Sequence, residues 1–199
     1  MENIIPIYEL QIEQNEGSDI EVDFVALVDR PAIQRGFLAF KEARQNFVIQ
    51  DEEQRIISGP LMLADTPIYR NDAIRGEYYV TFTKQTIKEI VQKLFKKGYH
   101  NNVNLMHDNG QVVQGLTMFE SWVTDETRGV KPLRGFEDVP NGSWFVSYKV
   151  DNDEVWNKVK RGEFLGLSVE GNFLYKEQEQ MTPEEKMMNE IIKLLQKVK

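Results

Sequence analysis

Cysteine is absent from this chain, and histidine occurs only twice. The first absence excludes a disulfide, a cysteine nucleophile, a thiolate zinc site and an iron–sulfur cluster, and it fits a reducing compartment. Long apolar runs are missing as well: none approaches the ~20 residues that a membrane span requires. Met1-Glu2-Asn3-Ile4 has neither the basic start nor the apolar stretch of a secretory leader. A soluble, intracellular protein is the expectation. Basic charge is scarce too, with 24 Lys and Arg against 32 Asp and Glu, a net charge of −8. A surface that tracks phosphates needs a basic face, so nucleic acid is not expected as a partner. The one basic cluster, Lys93, Lys96 and Lys97, falls at the end of a predicted helix and complements its dipole. No Walker loop and no dinucleotide-binding glycine pattern occurs. His100 and His107 lack the HExxH spacing, so neither a metal nor a cofactor is expected.

What is present is a core. The chain has 199 residues, of which 41% are hydrophobic, enough for one domain without staples. Most of the periodicity is of the strand type. Runs at Ile7–Ile12, Asp23–Val28, Arg55–Ala64, Tyr78–Phe82, Val103–His107, Gln111–Thr124 and Ser143–Val150 predict strands. Ile87, Ile90, Val91, Leu94 and Phe95 recur at helical spacing after Thr83 and stop at Gly98, which predicts a helix. A second, shorter helix is expected after Asp151-Asn152-Asp153-Glu154, with Asp151 and Glu154 forming a capping box. Residues 125–141, rich in charge, Gly and Pro, read as a mobile loop. The expected fold class is strand-dominated α+β, a barrel or closed sheet with two or three helices. Residues 1–175 form the predicted main domain. Residues 176–180 read as a polar hinge, and Met187, Met188, Ile191, Ile192, Leu195 and Val198 give the terminal helix an apolar stripe.

Two side chains stand out chemically. His107 ends the apolar run Val103-Asn104-Leu105-Met106-His107, with Asp108-Asn109-Gly110 reading as a turn after it. Ser168 lies within Gly166-Leu167-Ser168-Val169-Glu170-Gly171, sixty-one residues further on. An imidazole can take and return a proton near neutrality, and a serine hydroxyl needs such a base to become a nucleophile. Strand alternation puts Ser168 and Glu170 on one face, away from the core, and residues 103, 105 and 107 on one face. A third group should orient the imidazole. Glu120, a charge among apolar residues on the strand expected to follow His107, is the first candidate, through cross-strand proximity. Glu170, which shares the serine's face, is the second. The plain alternatives are ordinary: a solvated serine, a half-buried histidine and carboxylates in edge salt bridges. His100, in a loop, ranks below His107.

The ordered segments Val25–Ile33, Gly59-Pro60-Leu61-Met62, Tyr79-Val80-Thr81-Phe82, Asn104-Leu105-Met106-His107, Phe119-Glu120-Ser121-Trp122, Gly142–Val146, Asp153-Glu154-Val155-Trp156, Gly162-Glu163-Phe164 and Gly166–Gly171 carry a resemblance. Over roughly residues 20 to 175 the chain resembles the XkdF-type phage serine proteases, a branch of the prohead (capsid maturation) proteases. The resemblance implies a β-barrel like that of the herpesvirus assembly protease, flanked by helices, with His107 and Ser168 as the catalytic pair. Herpesvirus relatives use a second histidine after the serine; this chain has none there, so Glu120 or Glu170 must substitute. A glycine-bearing loop such as residues 125–141 could supply oxyanion amides. The implied substrates are scaffold protein, the scaffolding segment of the major capsid protein and the protease itself. The implied location is the assembling prohead in the host cytoplasm, with self-association and without nucleic acid or membrane. A catalytically silent capsid-assembly protein with the same fold is the alternative. A β-rich interaction module using Trp122, Trp144 and Trp156 is another, although core packing suits those residues better.

Overall fold

The computed structural model describes residues 5–29 and 47–178. Twelve strands and two α-helices occur among them. The strands are β1 (Ile7–Gln11), β2 (Val22–Val28), β3 (Val48–Asp51), β4 (Ile56–Met62), β5 (Ile68–Asp72) and β6 (Gly76–Thr81). After helix α1 (Lys84–Lys96) come β7 (Val103–Leu105), β8 (Asp108–Val113), β9 (Leu116–Val123) and β10 (Trp144–Val150). Helix α2 (Asp153–Lys160) precedes β11 (Gly166–Gly171) and β12 (Leu174–Glu177). The strand-dominated α+β class is therefore correct.

The expected barrel closure is not. The strands form three four-stranded sheets, ordered β12-β1-β6-β5, β3-β4-β10-β9 and β11-β2-β7-β8, and none closes on itself among the described residues. Their apolar faces meet in one core. Val25 and Leu27 of β2, Ile57 and Leu61 of β4, Trp144 and Tyr148 of β10, and Ile87, Ile90 and Leu94 of α1 are buried in it. β11, the edge strand of its sheet, lies close to β4, an inner strand of another.

Local chemistry explains the helices and several departures from expectation. Thr83 caps α1 by accepting from the Thr86 N–H, and Gly98 takes the left-handed φ of 75° just beyond its end. Phe95 leaves the predicted buried stripe and stacks on His100 at 4.8 Å between ring centroids. Asn152, rather than Asp151, caps α2 by accepting from the Val155 N–H at 3.0 Å. The basic cluster does more than answer a dipole. Lys93, buried, reaches the Glu21 carboxylate at 2.8 Å, and Lys97 binds the same carboxylate at 2.5 Å.

The segment over residues 125–141 is not a structureless loop. Asp125 caps a short 3-10 turn at Glu126–Arg128, Trp122 Nε1 donates to the Lys131 carbonyl, and Phe136 is buried edge-on against Phe145. Residues 176 and 177, expected in a hinge, belong to β12, which pairs antiparallel with β1. The predicted terminal helix lies outside the described residues. Trp144 and Trp156 are core residues, and Trp122 stacks on Phe145 at 5.5 Å.

Candidate active site

Ser168 sits at the middle of β11, directly opposite Ala26 of β2, which in turn is opposite Asn104 of β7. Alternation along β11 puts Ser168 and Glu170 on the face shared with Ala26 and Asn104. Neighbouring strands lie ~4.8 Å apart, so a side chain on β11 must cross β2 to meet one on β7. The methyl group of Ala26 leaves that path open. Asn104 Nδ2 accordingly donates to Glu170 Oε2 at 2.6 Å. The expectation that this face looks outward holds only in part, since Ser168 is 8% exposed and Asn104 fully buried.

His107 arrives differently from the expected strand end. β7 and β8 are antiparallel, with Leu105 opposite Asp108, and Met106-His107 is the two-residue turn between them. Both turn residues have positive φ, 57° and 58°. That is the type I′ pattern whose twist suits a hairpin, usually built from Asn-Gly. The Met106 N–H donates to the Leu27 carbonyl at 2.9 Å, which fixes the turn to the end of β2. The predicted turn at 108–110 is instead part of β8. Because residue 107 is out of the strand, it does not follow the 103/105 face. Its Nδ1 lies 3.4 Å from Glu170 Oε2, an ion-pair distance when the ring is protonated.

Ser168, Glu170 and His107 all line one cleft of about 490 Å³. Leu10, Leu61, Val80 and Phe82 give it apolar walls, with Tyr175 from β12 and Arg70 from β5 completing them. Among the described residues no hydrogen bond joins Ser168 to His107, although both line the cleft. Residues 125–141 do not line this cleft.

Glu120 is elsewhere. β9 pairs with β10, not with the β7–β8 hairpin, so the cross-strand proximity to His107 does not arise. Its carboxylate accepts from the Ser147 hydroxyl at 2.5 Å, and Ser147 is 2.8 Å from Ser58. Those serines face each other across β10 and β4 in the same register row. The structure thus brings Ser168, His107 and Glu170 together and leaves Glu120 in a separate polar ladder.

Asn104 and Arg70 are the residues that sequence reasoning missed. A polar residue inside the run Val103-Asn104-Leu105 was a signal for the first. For the second, the strand itself went unrecognised. Among the described residues no group of three or more His, Asp and Glu is arranged to hold a metal ion. None of their helices is long and apolar enough to cross a membrane.

A hydroxyl, an imidazole and a carboxylate on one cleft wall are the groups of nucleophilic acyl transfer. The comparison with known families points the same way. The family model described as "Putative phage serine protease XkdF" matches residues 45–177, two thirds of the chain. The chain belongs to this phage serine protease family. No curated protein and no solved structure matches it.

Proposed function

We propose that this chain is a phage head-maturation serine endopeptidase with Ser168 as nucleophile, His107 as general base and Glu170 as the third member. The observation that carries the reading is the 3.4 Å approach of Glu170 Oε2 to His107 Nδ1 on the cleft wall that Ser168 also lines. With Nδ1 turned to the carboxylate, Nε2 is the nitrogen left for proton transfer. Ser168 Oγ attacks a peptide carbonyl while Nε2 takes its proton. The proton then goes to the leaving amine as the acyl-enzyme forms, and water repeats the sequence to release the acid. Glu170 holds the ring's tautomer and stabilises its charged form, and Asn104 holds Glu170. Glu120 drops out of the catalytic set in this reading.

The proposed substrates are scaffold protein, the scaffolding part of the major capsid protein and the chain itself, inside the assembling prohead in the host cytoplasm. They rest on the motif resemblance; the family membership supports the coarser reading of a phage serine protease. A kinship with the herpesvirus assembly protease belongs to the same proposal and rests on the motifs, not on barrel closure.

The test is co-expression with the cognate capsid and scaffold proteins, following intact masses for wild type, Ser168→Ala and His107→Ala. Processing in wild type that disappears in both variants is the expected result. Identical processing in all three would remove both residues as catalysts. Normal shells without any processing would favour a catalytically silent assembly protein.

A further inference from the structure

Arg70 is the third residue of β5, and alternation places Ile68, Arg70 and Asp72 on one face of that strand. Ile68 and Arg70 both line the cleft that Ser168, Glu170 and His107 line from the other sheet. The nearby carboxylates are already engaged. Asp72 accepts from the Tyr78 hydroxyl at 2.6 Å and from the backbone N–H groups of Ile74 and Arg75 at 2.8 Å each. Glu170, the acid on the cleft wall, is taken by Asn104 and His107. The neighbouring cation is engaged as well: the Arg75 guanidinium lies 4.1 Å from the centroid of the Tyr175 ring.

Arg70 differs. Its Nη1 donates to the adjacent Tyr69 carbonyl at 3.2 Å, and among the described residues no carboxylate pairs with it. An arginine carries five N–H donors in a planar fork, so most of this fork is unused. The fork matches a carboxylate through two parallel hydrogen bonds. Leu10, Phe82 and Phe173 line the same cleft, and Arg70 is itself exposed, so its fork is open to a ligand entering there.

We infer that Arg70 sets substrate specificity by binding an aspartate or glutamate side chain close to the scissile bond. This rests on the peptidase reading above and deepens it. An extended peptide crossing from β11 to β5 presents its carbonyl to Ser168 and an acidic neighbour to Arg70. Arg70 takes no part in the bond-making steps.

The experiment digests an amine-blocked, proteome-derived peptide library with the full chain and reads new N-termini by mass spectrometry. Wild type, Arg70→Gln, Arg70→Glu and Ser168→Ala are compared. Cuts that depend on Ser168 should be enriched for Asp or Glu at one position near the bond. On a glutamate peptide drawn from that set, Arg70→Gln should lower kcat/KM by about 10–100-fold, the worth of a charge-assisted pair. The matched glutamine peptide should be nearly insensitive to that change. Arg70→Glu should move the enrichment to Lys and Arg. Ser168-dependent cleavage with one unchanged preference in all Arg70 variants overturns the role of Arg70 alone. An absence of Ser168-dependent cleavage overturns the peptidase reading and this inference with it.

Discussion

Glu170 Oε2 stands 3.4 Å from His107 Nδ1 although Glu170 lies on the edge strand β11 and His107 in the turn between β7 and β8. The same oxygen accepts the Asn104 amide at 2.6 Å, so Glu170 is held from one side while it faces the imidazole on the other. Glu120 has no such relation to either histidine; its partner is Ser147. The two candidate carboxylates therefore make opposite predictions. Glu170→Gln should lower kcat by about 10²–10⁴-fold, the range seen when an orienting carboxylate is lost. Glu120→Gln should leave it within about twofold, as expected of a substitution away from the reacting groups. Steady-state cleavage of one peptide by both variants checks this, and the reverse ranking would return the third role to Glu120.

The turn at Met106-His107 stores strain at the site. A non-glycine residue in the left-handed region costs roughly 1–2 kcal/mol, and His107 has φ 58°. Glycine removes that cost but adds about 0.5–1 kcal/mol of unfolded-chain entropy. His107→Gly should thus be unchanged in stability or up to about 1.5 kcal/mol more stable, while losing cleavage. Denaturant unfolding beside an activity assay tests the trade. A large loss of stability would mean that the imidazole holds the hairpin through its contacts.

Lys93 ties the segment before β2 to helix α1. Its ammonium donates to the carbonyls of Glu13, Asn15 and Ser18 at 2.7, 3.0 and 3.4 Å, and pairs with Glu21. Lys93→Met removes one member of a buried pair and orphans the carbonyls, with an expected loss of about 3 kcal/mol, at the low end because Lys97 still faces Glu21. Burial alone would raise the Glu21 carboxyl, but the two lysines outweigh it and hold the pKa below the ordinary glutamate value. A depressed carboxylate stabilises the fold above its unfolded pKa, and that contribution fades as pH falls through the folded value. Stability of the wild type should therefore fall on acidification below about pH 4–5. Lys93→Met should flatten that limb in a series of thermal melts. An unchanged pH profile would place the acid sensitivity elsewhere.

How far the sequence carried the site follows from which contacts are local. The face shared by Ser168 and Glu170 was readable, because period-two alternation depends on nothing beyond the strand. The place of His107 was not, since the hairpin turns on Met-His rather than on the glycine or asparagine that usually marks such a turn. The distance of Glu120 from His107 was not readable for another reason. β8 and β9 follow each other closely through Gly115, with φ 81°, yet β9 pairs with β10 across the ordered segment over residues 125–141. Strand partners of that kind depend on the whole sheet, not on neighbouring residues. Arg70 was missed for a different reason: its strand carries few apolar residues, so the local hairpin it forms with β6 had no alternating pattern to mark it. In contrast, α1 was legible because its stripe, its Thr83 cap and its Gly98 stop all lie within one segment.

Gly171 joins the fold to the site most tightly. A Cβ built there would lie 2.1 Å from the Glu21 carbonyl oxygen and 2.7 Å from the Val22 Cα, both backbone atoms that cannot swing aside. The register between β11 and β2 slips between Glu170 and Gly171, and the next N–H, of Asn172, donates to the same Glu21 carbonyl at 3.0 Å. Gly171→Ala must therefore push the end of β11 away from β2. Overpacking of this kind costs about 1–3 kcal/mol, and more where backbone has to move. Glu170 is the adjacent residue, so its 2.6 Å bond to Asn104 and its approach to His107 should be disturbed together. The expected result is a lower melting temperature, with kcat reduced further than the folded fraction alone explains. Activity that only tracks the folded fraction would show that the sheet edge absorbs the shift before it reaches Glu170.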